Sequence, residues 1–198
     1  AVLPLCELEA GQGHVTALAA DGEIVCVGTS RGYLLRYAMP LDLSPAGPPL
    51  CVCEPSKKRA RVSQLALLSE SRALVALIGG IATVHALETL EQLCALNNEQ
   101  TKAETFCYSL DGPLPRVGLS VAAHNAVLLY TLGNPVALYR ELTVRSPPST
   151  LAWHADTLAL AHVQGVVVLD AAGGGTVFEC SFGAAAGAAP LSLSTAWE

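Results

Sequence analysis

The densest run of chemistry-bearing side chains is KKRAR, in which Lys57, Lys58, Arg59 and Arg61 stand almost side by side. Clustered cations of this kind form a nuclear-localisation-like patch, contact acidic lipids or receive an acidic protein partner; the alternative is a solvated loop. Histidines at 14, 85, 124, 154 and 162 are possible bases or metal ligands, but their spacing matches no ligand motif. His85 and His162 fall inside strand-like segments. Seven cysteines stand at 6, 26, 51, 53, 94, 107 and 180. Most lie in apolar runs such as IVCVGT and EQLCAL, which suits buried, reduced core thiols in the cytosol. Cys51 and Cys53 form a C-x-C, yet no second pair follows, so the spacing calls for no metal.

The signatures of catalysis are missing in the same way. Ser, His and Asp occur, but no G-x-S-x-G elbow does. AAGGGT lacks the Lys-Ser/Thr that completes a phosphate-binding loop, and GQGH has no strand–helix context for a dinucleotide. Acids are too sparse in the apolar segments for a carboxylate pair. The expectation is a chain without catalytic residues, metal or cofactor. Its one candidate contact is the cationic run, for a protein or lipid partner.

Composition narrows the elements that carry these residues. The 198-residue chain is 52% apolar and only 14% charged, well below the charge content typical of soluble domains. That is ample for one domain with a substantial core and excludes a disordered tail. The net charge of −6 opposes general nucleic-acid binding, which needs a basic field. Charged residues from Arg36 to Asp170 interrupt every apolar run before it reaches membrane-spanning length, so membrane association is expected to be peripheral. The opening AVLPLCELEAGQGH carries neither a basic n-region nor an apolar h-region, and no signal peptide is expected.

The apolar segments are short, β-branched or alternating, and punctuated by Gly, Pro, Asn and Asp, as strands are. They predict strands at 15–19, 23–29, 32–38 and 49–54, then 62–68, 73–78, 81–87 and 91–96. A third set covers 104–110, 116–122, 125–131 and 136–142; a fourth covers 149–153, 157–162, 165–170 and 175–181. The sets begin at 15, 62, 104 and 149, and four strands recurring about every 45 residues is the pattern of β-propeller blades. The blades run near 15–54, 62–96, 104–142 and 149–181. Gly32, Gly80, Asn125 and Gly165 are placed at the second turn of each set, where φ > 0 closes a hairpin. PLDLSPAGPPL (40–50) reads as a surface loop and GAAAGAAP as a small-residue linker. LSLSTAWE (189–198 region) reads as the start of a fifth set, so the chain is expected to be part of a larger ring. Trp153 and Trp197, one period apart, are expected in equivalent core slots.

Particular residues add a family resemblance. Val27, Gly28, Thr29, Gly32, Leu34 and Tyr37 resemble the V-G-T turn and G-x-L-x-x-Y strand that open citron-homology domains. Lys57 and Lys58 resemble that domain's lysine-rich lead-in to the second blade, and Val84, His85, Leu87, Thr89 and Leu90 its V-H-x-L-x-T-L strand end. LLYTL and STLAWHADTLALAH follow in order. Within the family the chain resembles most the N-terminal propeller of the Vam6-like and TGF-β-receptor-associated tethering subunits of HOPS and CORVET. The resemblance implies a WD40-like propeller, usually of seven blades, that binds Rab-type GTPases or other tether subunits. It implies a cytoplasmic protein, peripheral on late endosomes, lysosomes or vacuoles. The alternatives are a regulatory scaffold in small-GTPase or TGF-β-receptor signalling, and a purely structural cap on a solenoid.

Overall fold

The computed structural model describes residues 8–39, 47–55 and 59–182. Among them the chain is all-β: four antiparallel sheets of four strands, each paired in simple chain order. Helix is confined to two 3-10 turns, Ser69–Ser71 and Ala122–His124. The expected fifth-set residues, Trp197, Cys6, most of the 40–50 loop, Lys57 and Lys58 lie outside the described residues. The chain divides into two compact units, Ala1–Asn97 and Asn98–Glu198.

In the first unit, one sheet is β1 (Val15–Asp21), β2 (Ile24–Thr29), β3 (Leu34–Ala38) and β4 (Cys51–Cys53). The next is β5 (Val62–Leu68), β6 (Ala73–Ile78), β7 (Ile81–Ala86) and β8 (Gln92–Ala95). Strands with both faces covered read as continuous apolar runs, and β6 is buried from Ala73 to Leu77. Cys26 and Leu34 of the first sheet pack on Val62, Leu65, Leu67 and Leu74 of the second. Val25, Val27, Leu35 and Tyr37 form a separate buried cluster on the other face of the first sheet.

The V-G-T segment has three distinct jobs here. Val27 is fully buried. Gly28 faces the second sheet, and a Cβ there would stand 2.7 Å from Val62 Cβ. Thr29 accepts the Tyr33 backbone N–H on its Oγ1 at 3.1 Å, while Gly32, at φ +87°, closes the same turn. Thr16 Oγ1 donates to the Val62 carbonyl at 2.6 Å, so the two sheets are hydrogen-bonded beside the close contact. The β6–β7 hairpin turns on Gly79 and Gly80, both at positive φ, as a two-residue turn matched to sheet twist requires.

The second unit repeats the arrangement. Its sheets are β9 (Ala103–Ser109), β10 (Arg116–Val121), β11 (Ala126–Thr131) and β12 (Ala137–Thr143), then β13 (Thr150–His154), β14 (Thr157–His162), β15 (Gly165–Asp170) and β16 (Thr176–Ser181). Val127, Leu129 and Leu142 meet Leu151, Trp153, Leu158 and Leu160 between them. Gly118 in β10 is crowded by its own sheet: a Cβ there would lie 3.2 Å from Cys107 Sγ and from Leu129 Cδ2, with the Trp153 ring at ordinary contact distance. Asn125 takes the left-handed conformation at φ +46°, as expected of its turn. Gly165 differs from expectation. It is the first residue of β15 and not a positive-φ turn residue; its requirement is space, because a Cβ would collide with the Cys180 carbonyl and lie 3.0 Å from Ser181 Cα.

The Gly28–Val62 contact yields a paired test. Gly28→Ala should destabilise the fold by about 2 kcal/mol through overpacking. In a Val62→Ala background the same change should cost at least about 1 kcal/mol less, because the two γ-methyls that crowd position 28 are gone and only the alanine Cβ remains to be accommodated. Chemical denaturation of the four variants measures both numbers; strictly additive costs would show that Val62 is not what excludes a side chain at 28.

Candidate interaction surfaces

The expected contact residues meet a well-braced backbone. A Cβ at Gly32 would lie 2.7 Å from the Ala60 carbonyl oxygen, and one at Gly79 would lie 2.7 Å from Ala60 Cβ. The Gly79 N–H donates to the Arg61 carbonyl at 3.1 Å. Two glycine turns thus receive Ala60, and its neighbours Arg59 and Arg61 are exposed, with no ion pair among the described residues. Ala60 Cβ lies close against the Gly79 turn, where a side chain at 79 would strike it.

The histidines and cysteines take structural positions. His85 is buried at 2% exposure, with Nδ1 2.9 Å from the Leu90 carbonyl and Nε2 2.8 Å from Thr83 Oγ1. A carbonyl only accepts, so Nδ1 carries the proton; the Thr83 hydroxyl sits between Nε2 and the Ala76 carbonyl, 3.2 Å from the latter. This holds the turn that ends in Leu90, itself buried and left-handed at φ +58°. The V-H-x-L-x-T-L segment is therefore a strand end pinned by its histidine. Burial pushes the Cys26 thiol up to about 11 and Cys107 up to about 12, which keeps both protonated. Cys180 departs from the expectation of buried thiols: it is exposed, because β16 is the outer strand of its sheet and every residue in it is exposed. Among the described residues no three His, Cys, Asp or Glu side chains converge on a common point.

Two features of the second unit had no mark in the sequence. The first is a knot around Arg116, whose Nη2 donates to the carbonyls of Asp111 at 2.8 Å and Ala155 at 2.9 Å. Its guanidinium lies 5.0 Å from the Trp153 ring centroid. Asp111 accepts from the Ala155 N–H at 2.8 Å, and that bond chiefly holds its carboxyl below the usual range. These contacts bind the β9–β10 loop to the β13–β14 turn. The second is a groove of about 340 Å³ between the end of β12 and strands β15 and β16. Arg145 and Glu179 pair across it at 3.1 Å, and Ser146 Oγ lies 3.1 Å from His162 Nδ1. No local motif could announce it, because its walls come from separate stretches of chain.

With that geometry in place, the comparisons with known proteins fall into order. No family model matches the sequence, and no curated protein matches it. Solved structures do. The computationally designed Ika4 protein shares 20% identity and a TM-score of 0.64 over 86% of this chain and 99% of that one. The Neurospora crassa Pan2 WD40 domain shares 13% identity and a TM-score of 0.66 over 85% of this chain and 50% of that one. The chain has the WD40-like propeller fold. Its four sheets are blades. This chain spans half the length of the Pan2 domain it matches.

His85 gives the blade a specific pH response. Burial lowers its pKa from the ordinary 6.5, against the smaller opposing effect of the Leu90 carbonyl. The unfolded chain then takes up the proton first, so stability is full above about pH 6.5 and falls as the pH drops below it. The Tm should decline between about pH 7 and pH 5, and His85→Gln should flatten that decline. An unchanged slope in the variant would assign the response to another group.

Proposed function

We propose that this chain is a non-catalytic protein-interaction propeller of the citron-homology kind, belonging to an endosomal or lysosomal tethering subunit. Its partner is a Rab-type GTPase or a sister tether subunit, and its membrane association is peripheral, through that partner. The contact is the connector that carries Lys57, Lys58, Arg59 and Arg61. The observation that carries this reading is the clamping of Ala60 between the Gly32 and Gly79 turns, which presents Arg59 and Arg61 outward from fixed backbone. A charge held on rigid backbone loses less conformational entropy on binding than one on a loose loop.

Three further observations agree. Each citron-homology-like residue described has a physical job: Gly28 and Gly32 in close approaches, Thr29 and His85 in turn closure, Leu34 and Tyr37 in the core. The acidic net charge leaves the cationic connector as a local contrast, which steers an acidic partner face toward one place. The buried histidine and cysteines are occupied in packing, which leaves them out of any reaction.

The test is binding of the chain to a panel of nucleotide-loaded Rab-type GTPases and to tether subunits, measured across a salt series. Reversing Lys57, Lys58, Arg59 and Arg61 to Glu should weaken association by about tenfold or more and flatten its salt dependence. Binding that survives reversal unchanged returns the connector to a solvated loop. Absence of every such partner, with no endosomal or lysosomal enrichment of the tagged protein in cells, overturns the tether assignment.

A further inference from the structure

The β2–β3 turn of the first unit carries a cation of its own, Arg31, between Ser30 and Gly32. The residue is exposed, yet its side chain is anchored: Nη1 donates to the Gly11 carbonyl at 2.9 Å. Gly11 and Gly13, at φ +107° and +86°, bend the segment that leads into β1 against the arginine's stem. A Cβ at Gly13 would lie 3.1 Å from Arg31 Cγ. The backbones are tied as well, since the Ser30 N–H donates to the His14 carbonyl at 2.9 Å. Through Gly32 the same turn also meets the Ala60 carbonyl of the connector. One turn thus touches the lead-in to both sheets.

Arg31, Arg59 and Arg61 therefore stand on backbone segments in direct contact. None of the three has an ion pair among the described residues, and Glu9 and Glu54, the exposed acids that flank these segments in the chain, pair with none of them. A guanidinium with N–H groups to spare takes a carboxylate at two points, and the Gly11 bond fixes where Arg31 can do so. The charge of the whole chain, −6, selects the occupant. An anionic membrane is a broad charged plane, which would meet the acidic remainder of the molecule together with the arginines. A short acidic segment of a protein meets the arginines alone, because more distant charge is screened beyond about 8 Å at physiological salt.

We propose that Arg31 is a further specificity-determining residue of the cationic contact: an acidic segment of the partner protein lies across the β2–β3 turn and the connector, with one carboxylate on Arg31 and others on Arg59 and Arg61. The contact is then a platform built by two adjacent sheets, held together by Gly32 against Ala60, and not a single basic loop. Lysine at position 31 would keep the charge but lose the planar fork. The proposal rests on the reading of the connector as a protein contact, and on no particular identity of the partner.

The experiment is fluorescence polarisation of a labelled octaglutamate peptide with the full chain across a salt series, with vesicles of phosphatidylcholine and phosphatidylserine as a lipid arm. The variants are Arg31→Glu, Arg31→Lys and the connector double variant Arg59→Glu with Arg61→Glu. The control is Arg72→Glu, an exposed cation in the β5–β6 turn, roughly 20 Å along β5 from Arg61. All should keep the parent Tm; if Arg31→Glu lowers it, Arg31→Gln, which keeps a donor for Gly11, replaces it. Octaglutamate affinity should fall about fivefold or more in Arg31→Glu and in the connector variant, with a flatter salt dependence in each. It should fall only in part in Arg31→Lys and hold in Arg72→Glu. Loss in the connector variant with none in Arg31→Glu overturns the proposal and leaves the connector reading standing. Equal loss in Arg31→Glu and Arg72→Glu also overturns it, as an effect of net charge. No binding, or binding indifferent to every variant, overturns both readings. Vesicle binding that the same variants abolish, with no octaglutamate bound, overturns it and assigns the platform to anionic lipid.

Discussion

The structure depends on how closely one sheet can approach the next, and glycine sets that distance. Gly28 in the second strand of the first blade admits Val62 from the first strand of the second. In the second unit the crowding at Gly118 comes from within its own sheet, from Cys107 and Leu129, and Trp153 packs over it at ordinary contact distance. A side chain at Gly28 would push two sheet faces apart along their length, not at one point, because interiors are packed at crystal-like density. Around these contacts lie the buried leucines and valines of each unit, and the hydrogen bond from Thr16 to Val62 runs beside the first of them.

Burial then grades across each sheet, and the gradient explains the composition. Central strands such as β6 and β10 are covered on both faces, which accounts for their unbroken apolar runs. Outer strands such as β16 are exposed throughout. Few charges are needed in such a chain because so much of it is interior strand. Polar groups that do enter the core arrive with partners, as His85 does with Thr83 and Leu90; a buried histidine without them would cost the desolvation of both nitrogens.

This gradient also decides what was legible in the sequence. The period of four strands was readable because covered strands such as β6 and β11 announce themselves by apolar continuity and by flanking turn residues. Gly80 and Asn125 were readable as turn formers, since their requirement is local backbone conformation. Gly165 was not, because its requirement is the Cys180 carbonyl on a neighbouring strand, invisible to local pattern. Cys180 misled for a related reason: its segment looks like any apolar strand, and only its place at the sheet edge exposes it. The groove was illegible altogether. Thr143, His162 and Glu179 have no sequence relation, and the fold alone makes them neighbours.

Fold and function are therefore written in different residues of this chain. The glycine contacts, the central strands and the His85 turn fix how blades stack, and any binding propeller needs something like them. They carry no information about a partner. What distinguishes one propeller from another must lie where burial imposes nothing: on connectors such as Arg59–Ala60–Arg61, on outer strands such as β16, and in the grooves between them. The connector shows how the two layers meet. Its alanine answers to packing against Gly32 and Gly79, while its arginines answer only to solvent or to a partner. A core requirement thus holds a free surface in a fixed place, and fixed placement is what allows exposed charge to recognise one partner over another.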